Sequence, residues 1–334
     1  MIRFGVLDLV PVREDATLTE AFGATIDLAR TAETAGCHRF WVAEHHAMEG
    51  VAGGAASVVL AAVGAATTRL RIGSGGIMLP NHTPFQIAEQ FGTLDALYPG
   101  RIDLGLGRAP GAGPALQRAL RKDLHAAAQM FPDDVVELRA LLTGDIDLPV
   151  KATPGLGAQV ELWLLGSSLF GAQLAGRLGL PYAFASHFAP ALLDEALEVY
   201  RHHFVASDLL DTPQVMVAMN LYCAETENEA ETLASSQWQA FANLRSGRPG
   251  RLPRPVPDYL RSLPAPAQAM FGPIREASAI GTPDAVVRQV EAFVARTGAD
   301  EVIFAGATFD PKARERSLVL AMDALKAADK RAAA

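Results

Sequence analysis

Residues 44–46 are Glu-His-His, placed where the apolar run RFWVA ends. A carboxylate beside two imidazoles can move protons near neutral pH, which makes Glu44 and His45 candidates for acid–base work. On a strand, adjacent side chains point to opposite faces, so His45 and His46 cannot easily share one metal ion. The chain has no H-E-x-x-H motif and no cysteine cluster, so no metal centre is expected. The plainer reading of the trio is a strand end reaching water.

Other stretches raise the same choice. In GSGGIML, Gly75 and Gly76 lie inside an apolar run where glycine weakens packing. A flat ring lying against the backbone would gain from the missing side chains, and so would a bulge at a sheet edge. In LLGSSLFGAQLAGRLG, an apolar strand runs through Gly166, Ser167 and Ser168 straight into a helix. Free N–H groups and hydroxyls at a helix start suit a phosphate, although serine is also an ordinary N-cap. Arg108 closes another apolar run and could supply a guanidinium fork to that phosphate. Asp8, Asn81, His82, Ser186 and His187 end further strand candidates.

The elements that must carry these residues follow a repeated grammar of helix, glycine stop and apolar strand. LARTAETAG before CHRFWVA, FGTLDALYPG before RIDLGLG, AQLAGRLG before LPYAFAS and VEAFVARTGAD before EVIFAG all show it. Glycine is expected there because many helices close on a residue with positive φ. Thr17 and Glu20 have the spacing of a capping box for the first helix. Eight strand candidates emerge, at 2–9, 39–43, 70–78, 102–107, 161–165, 182–185, 215–223 and 301–305, with helical segments between them. That alternation predicts an α/β fold, a (β/α)8 TIM barrel. A doubly wound open sheet would want a glycine-rich turn after the first strand, and residues 8–13 contain no glycine. In a barrel the strand ends form one rim, which would gather Asp8, Glu44, His45, Gly75, Gly76, Arg108, Ser167, Ser168 and His187 on one face. Insertions are expected after strands 4 and 7, at 109–128 and 244–281. The second, rich in Pro and Arg, reads as a lid on a single domain spanning 1–334.

The bulk properties narrow the class. The chain has 334 residues, half of them hydrophobic, a formal net charge of −8 and two cysteines. An acidic surface argues against nucleic acid or an anionic membrane as the main partner. Two cysteines suggest no disulfide framework and a reducing cytoplasm. The N-terminus lacks the apolar core of a signal peptide, and no run approaches roughly 18 strongly apolar residues.

Taken together, AGCHRFWVAEHH, LRIGSGGIMLPNHTPFQIAEQFGTLDALYPGRIDLGLGRAPG and ELWLLGSSLFGAQLAGRLGLPYAFASHF resemble the bacterial luciferase-like flavin monooxygenases, over nearly the whole chain. The resemblance implies a TIM barrel, usually dimeric, that takes reduced FMN from a separate flavin reductase. It implies oxygenation of a small organic substrate through a flavin peroxide, with His45 important for that chemistry. It maps a non-proline cis peptide onto Gly75-Gly76, a phosphate-binding arginine onto Arg108, and a phosphate loop onto Ser167 and Ser168. Gly166, Asp8 and His187 are grouped with them as cofactor contacts. The Gly-Gly pair departs from the light-emitting enzymes, which carry side chains there. The reactive thiol of those enzymes has no counterpart, since position 107 is glycine. Two alternatives stay open: hydride transfer with the deazaflavin F420, and a non-catalytic flavin-binding protein.

Overall fold

The computed structural model describes residues 2–109 and 114–332. Nine parallel strands form one sheet: β1 (Arg3–Asp8), β2 (Arg39–Val42), β3 (Arg71–Met78), β4 (Ile102–Gly107), β5 (Glu161–Gly166), β6 (Tyr182–Phe184), β7 (Val215–Cys223), β8 (Ser278–Gly281) and β9 (Glu301–Ala305). All except β8 close into a barrel, with β6 pairing β7, β7 pairing β9 and β9 returning to β1. The eight barrel strands are the eight read from the sequence. β8 was not expected. It pairs with Asn220–Cys223, above the point where three-residue β6 leaves β7 free.

The helices are α1 (Leu18–Thr34), α2 (Ala56–Ala66), α3 (Pro84–Leu97), α4 (Pro114–Leu120), α5 (Leu124–Thr143), α6 (Leu169–Leu178), α7 (Leu193–His203), α8 (Glu227–Arg245), α9 (Tyr259–Ser262), α10 (Ala265–Ala269), α11 (Gly272–Glu276), α12 (Pro283–Thr297) and α13 (Pro311–Ala332). Thr17 and Glu20 form the capping box of α1. α6 and α12 close on Gly179 and Gly298 in the left-handed conformation, which frees the chain to turn into the next strand. Of the insertion after β4, residues 110–113 lie outside the described residues, and α4 follows them.

Strand alternation sorts the core into two shells. Phe40, Val42, Ile72, Leu104, Leu106, Val302 and Phe304 face outward and pack on the helices. Leu7, Trp41, Trp163, Met216 and Ile303 face inward and fill the barrel, with Ala43, Ala183, Ala218 and Ala305 above them. Burial on both faces explains why these strands read as continuous apolar runs. Each large side chain so buried contributes about 1.5–3 kcal/mol.

The segment between α8 and β8 is ordered cover, built on Trp238, Phe241, Phe271 and Ile274 against Tyr222 and Ile280. It is stitched to the loops above β1 and β2. Leu252 donates to Val12 O at 2.8 Å and accepts from Glu14 N at 3.0 Å, and Val12 N donates to Gly50 O at 2.9 Å. Gly50 must be glycine, because a Cβ there would lie 2.1 Å from Gly250 O.

Candidate active site at the barrel mouth

The inward residues shrink from one end of the barrel to the other. At the N-terminal ends of the strands stand Arg39, Asp103, Glu161 and Glu301, and above them Trp41 and Trp163, packed edge to face at 5.6 Å between ring centroids. The next layer is small: Ala43, Ala183, Ala218 and Ala305, with Gly75 and Gly107 partly exposed. Small residues on a wide barrel leave a shallow bowl at the C-terminal end, where barrels of this kind carry chemistry.

The glycines of β3 and β4 divide into two sorts. A Cβ on Gly75 would lie 2.5 Å from Leu7 Cδ1, and one on Gly76 would lie 2.7 Å from Gly105 O. Their missing side chains are therefore taken up first by the barrel's own packing. The peptide bond between them is cis, and the register of β3 on β4 shifts between Ser74 and Ile77. Gly107 differs, because a Cβ there would meet nothing nearer than Ile77 O at 3.7 Å.

One corner of the bowl suits an anion. Ser167 and Ser168 are exposed, and Ser168 caps α6 without a side-chain hydrogen bond, which leaves its hydroxyl and the first N–H groups of the helix available. Arg108 is exposed beside them, its guanidinium 4.1 Å from the centroid of Phe170 in the first turn of α6. Arg108 Nε also donates to Ala128 O at 3.2 Å, which holds the fork over that helix start. Gly166 is the last residue of β5, at the foot of this corner.

Two imidazoles face the mouth from separate strands, β2 and β6. His45 follows Trp41 and Ala43 on the inward side of β2, and His187 follows Ala183 on the inward side of the chain leaving β6. The buried Nδ1 of each has no hydrogen-bond partner. Burial pushes His187 down to about 4, reinforced by the nearby His45. Burial also lowers His45, against the pull of Glu44. Both rings are therefore neutral at pH 7, each with one N–H and one lone pair.

Glu44 and His46 point the other way, out of the barrel. The buried Glu44 carboxylate accepts from His82 Nε2 at 2.7 Å, from Met78 N at 3.2 Å and from His46 Nε2. Burial alone would raise its pKa, but the contacts with His82 and His46 outweigh that and hold it below the usual range. Donor atoms of the three side chains lie within 4.8 Å of one another. Hydrogen bonds between them account for the arrangement. Glu44 thus ties the end of β3, with its glycine pair, to the loop that carries His45. It orients neighbours and does not face the bowl.

Asp8 departs from expectation. Leu7 occupies the inward position, so Asp8 points outward, fully buried, and accepts from Thr25 Oγ1 at 2.5 Å and Arg314 Nη1 at 2.6 Å. It clamps α1 and α13 to β1 and is not placed to touch a ligand in the mouth. Asn81 is buried beneath Met78, its Nδ2 3.7 Å from the sulfur. Ser186 and Asn220 have roles that the sequence did not point to. Ser186 bonds both Ala218 N and Ala218 O, and Asn220 Nδ2 donates to His187 O at 2.9 Å. A lone asparagine within the fully buried run VMVAMNLYC was the available signal for Asn220.

The fold and site define a (β/α)8 barrel with one polar, small-floored mouth. The profile of the luciferase-like monooxygenase family matches residues 2–301, and the chain belongs to that family. It is 46% identical over 323 residues to a luciferase-like monooxygenase of Escherichia coli K12, with 96% of each chain covered. It is 33% identical to the N-acetyl-S-alkylcysteine monooxygenase of Bacillus subtilis, over 74% of this chain and 75% of that one. The crystal structure of apo-MsnO8 superposes with a TM-score of 0.88 at 34% identity, covering 98% and 99% of the two chains. At lower identity the fold alone is shared. Examples are the oxygenating constituent of 3,6-diketocamphane monooxygenase of Pseudomonas putida in complex with FMN (18% identity, 97% and 98% covered, TM-score 0.72) and an F420-dependent secondary alcohol dehydrogenase (16%, 97% and 99%, 0.69). Family and relatives together make the protein an oxidoreductase. Among the described residues no helix is long and apolar enough to cross a membrane.

Proposed function

We propose that the protein is an FMN-dependent monooxygenase that oxygenates a small organic substrate with dioxygen. The observation that carries the proposal is the anion corner of Arg108, Ser167, Ser168 and the start of α6, opening directly onto the glycine and alanine floor. That combination fits a phosphorylated ring system, phosphate in the corner and ring over Gly75, Gly76 and Gly107. Reduced FMN, when bound, supplies the two electrons and two protons that let one atom of dioxygen enter the substrate and the other leave as water.

The chain's own groups do the rest. Arg108 and the helix start hold the phosphate through charge-assisted hydrogen bonds. His45 holds a proton on one ring nitrogen and presents a lone pair on the other, so it can pass a proton at the mouth without a change of net charge. Glu44 fixes the strand ends that set His45 over the floor. The cover keeps water from the reacting centre. A separate reductase supplies the reduced flavin. The outward face of α2, with Val58, Ala62 and Ala65 exposed and no charged residue in the helix, supports a homodimer. Buried free Cys37 and Cys223 fit a cytoplasmic setting.

Anaerobic titration with reduced FMN and with reduced F420 tests the reading. FMN is expected to bind more tightly, and Arg108→Ala to weaken it about ten- to hundredfold with the apo fold intact by circular dichroism. Tight binding of F420 alone would transfer the reading to hydride-transfer chemistry. Flavin binding without substrate-stimulated oxygen uptake, over a broad substrate panel with a reductase present, would make it a flavin carrier.

A further inference from the structure

We propose that His187 is a second catalytic imidazole of this site, held across the mouth from His45 by Ser186 and Asn220 so that the two rings bracket the reacting oxygen. The proposal rests on the flavin reading above and extends it to a residue that reading leaves as a cofactor contact.

The first argument is the way the backbone is fixed. β6 ends at Phe184, yet the chain beyond it does not loosen. Ser186, fully buried, donates from Oγ to Ala218 O at 2.6 Å and accepts from Ala218 N at 3.2 Å, so a side chain replaces the missing strand rung between β6 and β7. One residue on, His187 O accepts from Asn220 Nδ2 at 2.9 Å. The same Nδ2 donates to Ser278 Oγ at 3.2 Å, and Ser278 donates to Ile274 O at 2.7 Å. The His187 backbone is thus pinned to the barrel on one side and to β8 and α11 of the cover on the other. Packing alone does not require a buried asparagine in an apolar strand. Holding a functional side chain on a rigid support does.

The second argument is the ring. Its Nδ1 is buried and unpartnered, as is that of His45. Leaving such an atom unsatisfied is costly, and a bound ligand would supply the missing partner. The groups that act on His187 are burial and His45, and those on His45 are burial, Glu44 and His46. Glu44 is turned away and engaged with His46 and His82. Two neutral rings therefore share the mouth, and one can donate an N–H while the other accepts. A proton handed to the oxygen that leaves as water is regained from the two brought by the reduced cofactor, and the pair ends unchanged.

The test needs no knowledge of the substrate. Its probes are reduced FMN and dioxygen. His187→Gln and His187→Asn keep an amide near Nε2 and Nδ1 respectively, and each is compared with the parent at saturating reduced FMN. Release of hydrogen peroxide after mixing with oxygen is expected to accelerate about tenfold or more, with partial rescue in whichever variant replaces the working nitrogen. Asn220→Ala, which changes a positioning residue, should accelerate release in the same direction, and adding it to His187→Gln should have no further effect. In the protein without flavin, imidazole nitrogen NMR should show the His187 titration move upward in His45→Gln, because the imidazole whose charge holds it down has gone. Peroxide release within twofold of the parent, together with an unmoved His187 titration in His45→Gln, would overturn the proposal. Should a variant fold poorly, independent titrations of His45 and His187 in the parent protein would overturn it equally. Failure of the parent to bind reduced FMN would instead sink the function reading.

Discussion

The two ends of the barrel are built from the same strands and put their polar groups to opposite uses. At the N-terminal end, Arg39 makes a two-point contact with Glu301, at 2.8 and 3.0 Å, and reaches Asp103 at 2.5 Å. Arg71 bridges Asp103 and Glu161, Arg3 meets Glu301, and the indole N–H groups of Trp41 and Trp163 donate to Asp103 and Glu161. Burial opposes the charge on Arg39, but Asp103 and Glu301 outweigh it. Three guanidinium groups meet three carboxylates, and each is engaged. At the C-terminal end, two imidazole nitrogens lack partners and the Arg108 guanidinium lies exposed over a helix start. Polar groups are paired with one another at one end of the barrel and left open at the other.

Breaking the closed end should give the largest effect. Arg39→Met removes the shared cation and leaves Asp103 and Glu301 buried without it. The expected loss is about 3–5 kcal/mol, since stranding buried charges costs more than the pair contributes. Urea denaturation measures it. A loss below about 1 kcal/mol would mean that water or protonation readily replaces the guanidinium, and the contrast between the ends would collapse.

The open end should respond in the reverse sense, with binding lost and stability kept. Gly107→Val puts a branched side chain into the bowl with room around it, and valine suits a strand. Affinity for reduced FMN is expected to fall about tenfold or more, roughly 1.4 kcal/mol, with little change in Tm. Gly105→Ala is the control. Its Cβ would lie 2.3 Å from Ser74 O, so it should destabilise the barrel by about 1–3 kcal/mol. Equal loss of stability in both variants would show that Gly107 is as tightly packed as Gly105.

How far the sequence foretold this depends on how local each signal is. The eight barrel strands, the capping box at Thr17 and Glu20 and the glycine stops could all be read from short windows, because each needs only its own neighbours. β8 could not. SAIG is four residues at the end of a Pro-rich stretch, and only the free upper edge of β7 makes it a strand. The rim was expected as a list of strand ends, but not its inward and outward sides. β1 is buried on both faces near its end, so nothing in LDLV says that Leu7 faces in and Asp8 faces out. The Glu44, His46 and His82 contact joins two strands and their loops, and the Asn220 contact with His187 joins two others. Pairings of that kind appear only once the barrel has closed.

The smallest expected effect sharpens the comparison through acid stability. One histidine near each end is held neutral. Burial pushes His38, at the foot of β2, down to about 4, helped by Arg39 and Arg3, and burial with His45 does the same for His187. In the unfolded chain both would take up a proton near pH 6.5. Between pH 6.5 and 4 the unfolded state therefore binds more protons, and folding stability falls as pH falls. Below about 4 the folded rings protonate as well and this slope ends. Glu33, held down to about 2 by the N–H groups of Arg69, Leu70 and Thr68 against the cost of burial, acts in the next window, from about 4.5 to 2. His38→Gln and His187→Gln should each remove about 1 kcal/mol of the upper loss, allowing for water reaching the partly exposed rings. Urea midpoints at pH 7 and pH 5 measure it. If reduced FMN is present, only the His187 contribution should change, because only that ring faces the mouth. A ligand-dependent change at His38 would mean that the two ends are coupled through the tryptophan layer between them.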